Sequence, residues 1–160
     1  MVPSFIPSYR LAGYFDGAAV NGKGGCGFIL YFSKDHFFRG CTGLLHCTNN
    51  LAELTALWSL LIWARHCQIK DIRIFGDSQL VIQWLQGKSA IKAFNLAHRC
   101  SSILNITKSF ELIHFEHIYR EFNVEADKLS KKGLLCSEGT LQIEEIRDGV
   151  IRETSSIKIF

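Results

Sequence analysis

The sequence predicts an α/β fold, and three observations carry that reading. An apolar strand, Leu11-Ala12-Gly13-Tyr14-Phe15-Asp16-Gly17-Ala18, is followed by two further strand-like runs joined by short turns. Helical periodicity then alternates with strand patterns, giving the order β-β-β-α-β-α-α-β-α. A tail of alternating apolar residues turns at Asp148-Gly149, the pattern of a hairpin.

Bulk properties bound the reading further. The 160 residues suit one domain, 1–160, with a core that needs no staples. A hydrophobic content of 48% and two prolines exclude a disordered chain. Six cysteines (Cys26, Cys41, Cys47, Cys67, Cys100, Cys136) show neither C-x-x-C pairs nor zinc spacing. They read as reduced core thiols of an intracellular protein, placed in the cytoplasm or nucleus. The first ten residues lack a charged start and an apolar run, so no secretory signal is expected. Leu57 to Ala64, the most apolar window, is too short to span a bilayer, and no membrane partner is expected. A formal charge of +3 permits nucleic-acid binding without demanding it.

Taken in order, the elements place a set of acids. In the first strand Ala12, Tyr14 and Asp16 share one face, and Leu11, Gly13 and Phe15 the other. A carboxylate in so apolar a strand needs a partner unless Asp16 merely opens the turn at Gly17. Gly17, Gly22, Gly24, Gly25 and Gly27 then lead into Phe28 to Phe32. They suit a hairpin with a loop near a ligand, and as a phosphate cradle the signal is weak, because no Gly-Lys-Ser/Thr follows and the run leads into a strand. Ser33-Lys34-Asp35 turns the chain into a third strand, His36 to Cys47.

Thr48-Asn49-Asn50 starts a helix, with asparagine capping its first turn. Leu54, Leu57, Trp58, Leu61 and Arg65 form its buried stripe. Glu53, three residues after Asn50, either completes a capping box or reaches the sheet from the margin of that stripe. Asp71 to Phe75 is a buried-type strand ending at Gly76-Asp77-Ser78, a strand–turn–helix joint. Asp77 there is either an N-cap or a group in the crevice at the strand end. One helix follows through Leu85, another runs from Ile91 to Thr107, and a strand spans Phe110 to Tyr119. His114 and His117 fall on opposite faces of that strand and cannot ligate one metal together. Asn123 caps a last helix that runs through Lys132 and carries Asp127 one turn in. Lys128, Lys131 and Lys132 suit the C-terminal end of its dipole.

With Tyr14-Phe15-Asp16-Gly17-Ala18, Thr48-Asn49-Asn50-Leu51-Ala52-Glu53-Leu54, Asp77-Ser78-Gln79-Leu80-Val81 and Arg120-Glu121-Phe122-Asn123-Val124-Glu125-Ala126-Asp127 in place, the chain resembles type 1 ribonuclease H from about Tyr9 to Gly133. Its Arg-x-x-Asn-x-x-Ala-Asp ending is similar to the archaeal-like subgroup. With Leu-Ser-Lys-Lys-Gly-Leu and the hairpin tail (134–160), it resembles the C-terminal ribonuclease H domains of plant non-LTR (LINE-type) retrotransposon polyproteins.

The resemblance implies a five-stranded mixed sheet of order 3-2-1-4-5 flanked by helices, plus the C-terminal hairpin. It implies endonucleolytic hydrolysis of the RNA strand of RNA/DNA hybrids, in the service of retroelement reverse transcription. Asp16, Glu53, Asp77 and Asp127 are then catalytic and hold two Mg²⁺ ions, with Mn²⁺ able to substitute. Asp16 bridges both ions, Asp127 helps hold the one bearing the attacking water, and Glu53 and Asp77 hold the other. Carboxylates suit the task because Mg²⁺ takes hard oxygen ligands while keeping several waters. Gly17, Asn49, Asn50, Ser78, Gln79, Arg120 and Asn123 meet the substrate, whose wide minor groove displays 2′-hydroxyls. A monomer is expected, with a reverse transcriptase domain as a partner in the same polyprotein.

Two features depart from the bacterial members. The loop before Asp127 has no histidine, which leaves Arg120 to assist at the scissile phosphate. The interval Gly87 to Ser109 is too short for a basic protrusion, so the isolated domain should bind hybrid weakly and with salt sensitivity. The alternative is a catalytically silent ribonuclease H-like nucleic-acid-binding module, against which the presence of all four acids argues.

Overall fold

The computed structural model describes residues 11–160. The expectations of no secretory signal in residues 1–10 and of a core starting at Tyr9 lie outside the described residues. Strands β1 (Ala12–Val20), β2 (Lys23–Ser33) and β3 (His36–Leu44) form the antiparallel meander. Helix α1 (Asn49–His66) leads to β4 (Asp71–Gly76), which returns parallel to β1. Helices α2 (Gln79–Leu85) and α3 (Phe94–Thr107) precede β5 (Leu112–His117), which is parallel to β4. A 3₁₀ turn at Arg120–Phe122 opens into α4 (Val124–Gly133), and β6 (Thr140–Arg147) and β7 (Val150–Lys158) close the chain.

The sheet order is β5-β4-β1-β2-β3-β6-β7, which contains the expected five-stranded order read from the other edge. The expected count is corrected, however. The tail hairpin turns at Asp148 and Gly149 as read, but it does not stand apart, because β6 pairs antiparallel with β3 from His36↔Arg147 to Cys41↔Gln142. Leu141, Ile143 and Ile146 are buried, and that apolar row drives the addition.

The two sheet faces carry different helices. On one, α1 lies across Phe15, Phe28 and Leu30, all fully buried. Gly17 lets it settle: a Cβ there would strike the backbone of Ala52 and Glu53. The expected single stripe on α1 is corrected as well. Arg65 is exposed and Trp58 half-buried, whereas Leu54, Ala56, Leu57, Leu60, Leu61 and Ala64 are enclosed between the sheet strands β1 to β3 and α3. Helix α4 covers the opposite face. There Gly27 allows contact at backbone distance, since a Cβ would meet Ser130 N and the Leu129 carbonyl carbon. Asp16 pairs across the sheet with Gly27, so both lie beneath α4.

Candidate active site

Register assembles the site. Phe15 on β1 stands opposite Gly76 on β4, so Asp16, still within β1, and Asp77, just past the end of β4, come side by side where the parallel pairing stops. Glu53 arrives from α1, close to β1 because Gly17 carries no side chain. One ligand oxygen from each of Asp16, Glu53 and Asp77 lies within 4.8 Å of the others. Asp127 stands on α4 near enough to Asp16 for the two carboxyl groups to shift each other's proton affinity, outside the cluster of three, and its Oδ2 accepts from Lys131 Nζ at 3.0 Å.

Local capping frees the acids for this arrangement, corrects the two expected asparagine caps and leaves neither Glu53 nor Asp77 in a capping role. Thr48, not an asparagine, caps α1, its Oγ1 accepting from Leu51 N. Glu53 therefore lies beyond the capping-box position. The Asn49 carboxamide oxygen instead accepts from Ala19 N at 3.0 Å and ties the helix start to β1. Ser78 caps α2 by accepting from Val81 N, so Asp77 has no capping duty. Asn123 precedes α4 but makes no side-chain cap. Its Nδ2 donates to Phe15 O at 2.9 Å and to Asp77 Oδ2 at 3.0 Å, which turns the carboxamide inward.

Enclosure sets the electrostatics. Asp16 is 6% exposed and Glu53 7%. Burial first, then the charges of Asp77 and Asp127, push the Asp16 carboxyl up to about 6, against a hydrogen bond from Glu53 that favours its ionised form. Burial and the Asp16 charge hold Glu53 well above the usual carboxylate range. Burial alone would also raise Asp127, but Lys131, the hydrogen bond with Asp16 and the Arg120 charge hold it below its ordinary value. Glu53 Oε2 and Asn123 Oδ1 are buried without any hydrogen-bond partner. Buried oxygens are seldom left so, and three converging hard donors with an orphaned carboxylate oxygen fit a divalent cation.

The remaining expected site residues take varied places. Asn50 is half-exposed in the first turn of α1, Gln79 is exposed at the start of α2, and Arg120 is exposed in the 3₁₀ turn. Two groups at the site escaped the sequence reading. Lys131 pairs with Asp127, a signal present in the i,i+4 spacing. His117 Nε2 donates to the Asp77 carbonyl at 3.3 Å, which only the parallel pairing of Gly76 with His117 reveals.

Asn123 holds Asp77 in place, so its loss has a measurable effect. Asn123→Ala should weaken Mn²⁺ or Mg²⁺ binding about 10–100-fold, the usual cost of losing a group that orients a metal ligand. Isothermal titration of the free protein measures this. Unchanged affinity would reduce Asn123 to a strut between β1 and α4.

A mixed sheet with two acids where the parallel pairing of β1 with β4 ends, and a third from the crossing helix, is the ribonuclease H fold. The RNase H1 of the halophilic archaeon Halobacterium salinarum shares it at a TM-score of 0.72 and 30% identity, covering 78% of this chain and 97% of that one. LC11-RNase H1, solved in complex with an RNA/DNA hybrid, gives 0.68 at 24% identity over 78% and 96% of the two chains. The protease–reverse transcriptase of prototype foamy virus gives 0.61 at 20% over 85% of this chain and 22% of that one. A family model described as reverse transcriptase-like matches residues 14–133, and the chain belongs to that family. The ribonuclease HI of H. salinarum is 30% identical over 128 residues, which are 78% of this chain and 64% of that protein.

Proposed function

We propose that the chain is a metal-dependent endonuclease hydrolysing the RNA strand of RNA/DNA hybrids, and that it serves reverse transcription of a retroelement. The observation that carries the reading is the orphaned Glu53 Oε2 among the three converged carboxylates of Asp16, Glu53 and Asp77. The ribonuclease HI relative, the hybrid bound by LC11-RNase H1 and the reverse transcriptase-like family support the substrate and the setting. A reverse transcriptase domain in the same polyprotein is the partner proposed. Six free cysteines among the described residues support an intracellular setting.

Asp16, Glu53 and Asp77, with Asp127 beside Asp16, would hold two Mg²⁺ ions, or Mn²⁺ in their place. Once bound, such ions generate a nucleophile from water and stabilise the leaving oxygen. The chain's own part is positional. Asn123 holds the Asp77 carboxylate toward the cluster, and Thr48 and Asn49 fix the turn that delivers Glu53. The exposed Arg120 guanidinium, close enough to act on Asp127, neutralises a backbone phosphate of the substrate. Asn49 spends only its oxygen on Ala19, so its amide hydrogens are left for a 2′-hydroxyl. Gly17, Asn50, Ser78 and Gln79 complete the proposed hybrid-facing set.

The test is cleavage of a labelled hybrid with Mg²⁺ or with EDTA, beside duplex DNA and duplex RNA. Cutting of the RNA strand of the hybrid alone, and only with the metal, is expected. Binding without cutting would establish the silent module instead.

A further inference from the structure

A second set of chemistry-bearing groups lies away from the acids, on the α4 face of the outer strands. A cavity of about 310 Å³ is lined there by Arg39, Cys41, Leu129, Lys132, Gln142 and Glu144, among others. Cys41 pairs in register with Gly27 and Gln142, so its side chain stands on the α4 side of β3. Cys136 follows the end of α4, and the two Sγ atoms are 3.4 Å apart although 95 residues separate them in sequence. The backbone around Cys136 is fixed independently of the thiols. Gly139 N donates to Gly43 O at 3.1 Å, and Leu45 N donates to Glu138 Oε2 at 2.7 Å. The pair is thus held together before any bond forms between the sulfurs.

The two thiols are not equivalent. Cys41 is 4% exposed, whereas Cys136 is half-buried. The hydrogen bond with Cys41, followed by the Lys132 and Lys23 charges, holds the Cys136 thiol down to about 7. The same hydrogen bond, with burial, pushes Cys41 far up. Cys136, the more exposed of the two, is therefore the thiol that a reagent meets first, and the buried Cys41 follows in a second step. The cavity also carries an excess of positive charge. Arg39 and Lys132 both face the single carboxylate of Glu144, at 3.2 and 3.8 Å, and Arg39 Nε is buried without a partner.

We propose that Cys41 and Cys136 form a modification site for an anionic small-molecule disulfide of the glutathione class, which Arg39 and Lys132 of the cavity attract and which meets the half-buried Cys136 beside the cavity wall that Cys41 lines. The Cys136 thiolate attacks one sulfur of the reagent. Its S–S bond breaks, the first half leaves as a thiolate that takes a proton from solvent, and a mixed disulfide remains on Cys136. Cys41 then attacks the Cys136 sulfur and releases its proton to solvent, and the second half leaves as a thiol. Two protein thiols are oxidised to a disulfide while one external disulfide is reduced to two thiols. The product ties the end of α4, the helix that carries Asp127, to β3.

The experiment incubates the full chain with glutathione disulfide and reads intact mass, peptide maps and melting temperature. The expected product has lost two hydrogens, is bridged between Cys41 and Cys136, melts higher than the reduced chain, and reverts with dithiothreitol. Cys41→Ser should stop at the mixed disulfide on Cys136, and Cys136→Ser should form no bridge. The uncharged bis(2-hydroxyethyl) disulfide should react about tenfold more slowly than the anionic reagent. Faster modification at the half-buried Cys67, or a mixed disulfide persisting on Cys136 in the wild-type chain, would overturn the assignment. Equal rates with the two reagents would overturn the role of the cavity cations.

Discussion

Asp77→Asn should lower the proposed hybrid cleavage by more than about 100-fold while leaving the fold intact. That bound follows because removing a group that merely orients a metal ligand already costs about 10–100-fold, and Asp77 is itself placed to be a ligand. The substitution is clean for local reasons. An asparagine oxygen can still accept from Asn123 Nδ2, and Ser78, not Asp77, caps α2. The charge goes while the neighbouring hydrogen bonds stay. Cleavage with saturating Mg²⁺, beside a thermal melt of the same protein, is the measurement. Cutting at the wild-type rate would end the carboxylate-cluster reading, and a folded, inactive variant would support it.

Asp16→Asn should be inactive yet melt higher than the wild type when both are free of metal. The Asp16 carboxyl sits at about 6 in the folded chain against an ordinary 3.8, so the folded state binds its proton more tightly than the unfolded state does. Ionising it above about pH 6 costs folding roughly 3 kcal/mol, since each tenfold gain in proton affinity is worth about 1.4 kcal/mol. Below about pH 4 the group is protonated in both states and that cost is absent. Asparagine removes the charge with little change of shape. At neutral pH the metal-free variant should gain several degrees, given about 2–4 °C per kcal/mol for a chain of this size. The gain should shrink toward pH 4, and Mg²⁺ should then stabilise the variant less than the wild type. Melts of both proteins at pH 4, 5.5 and 7, with and without Mg²⁺, decide the matter. A lower melting temperature for metal-free Asp16→Asn would mean that its carboxylate chiefly makes favourable local bonds.

How much of this was legible depends on the range of the interaction that fixes each residue. Asp16 and Asp77 announce themselves locally, as charged groups at the ends of apolar runs, and the strand–turn–helix joint around Gly76 marks where a site belongs. Glu53 is less legible, because an acid three residues after Asn50 fits a capping box equally well. Thr48 takes the cap instead, which depends on where α1 docks against Gly17 and Ala19. Asn123 carries an N-cap signal in its sequence position, yet its carboxamide finds Phe15 and Asp77. Local preference yields there to a tertiary partner, as it does where β6 finds β3 and where Cys136 finds Cys41. The parallel register of β1 with β4, which sets Asp16 beside Asp77, has no signature in either segment alone.

The tail hairpin also bears on where the folding unit stops. The family match ends at residue 133, but β3 without β6 would be a nine-residue edge strand with a row of open amides and carbonyls. Such an edge templates sheet-to-sheet association between chains. The hairpin moves the open edge outward to β7, where Arg152, Glu153 and Lys158 supply the charges that discourage it. A protein cut back to the boundary of the family match would keep every acid of the site and lose the guard on its sheet, so colloidal solubility rather than catalytic competence would be the first casualty of trimming.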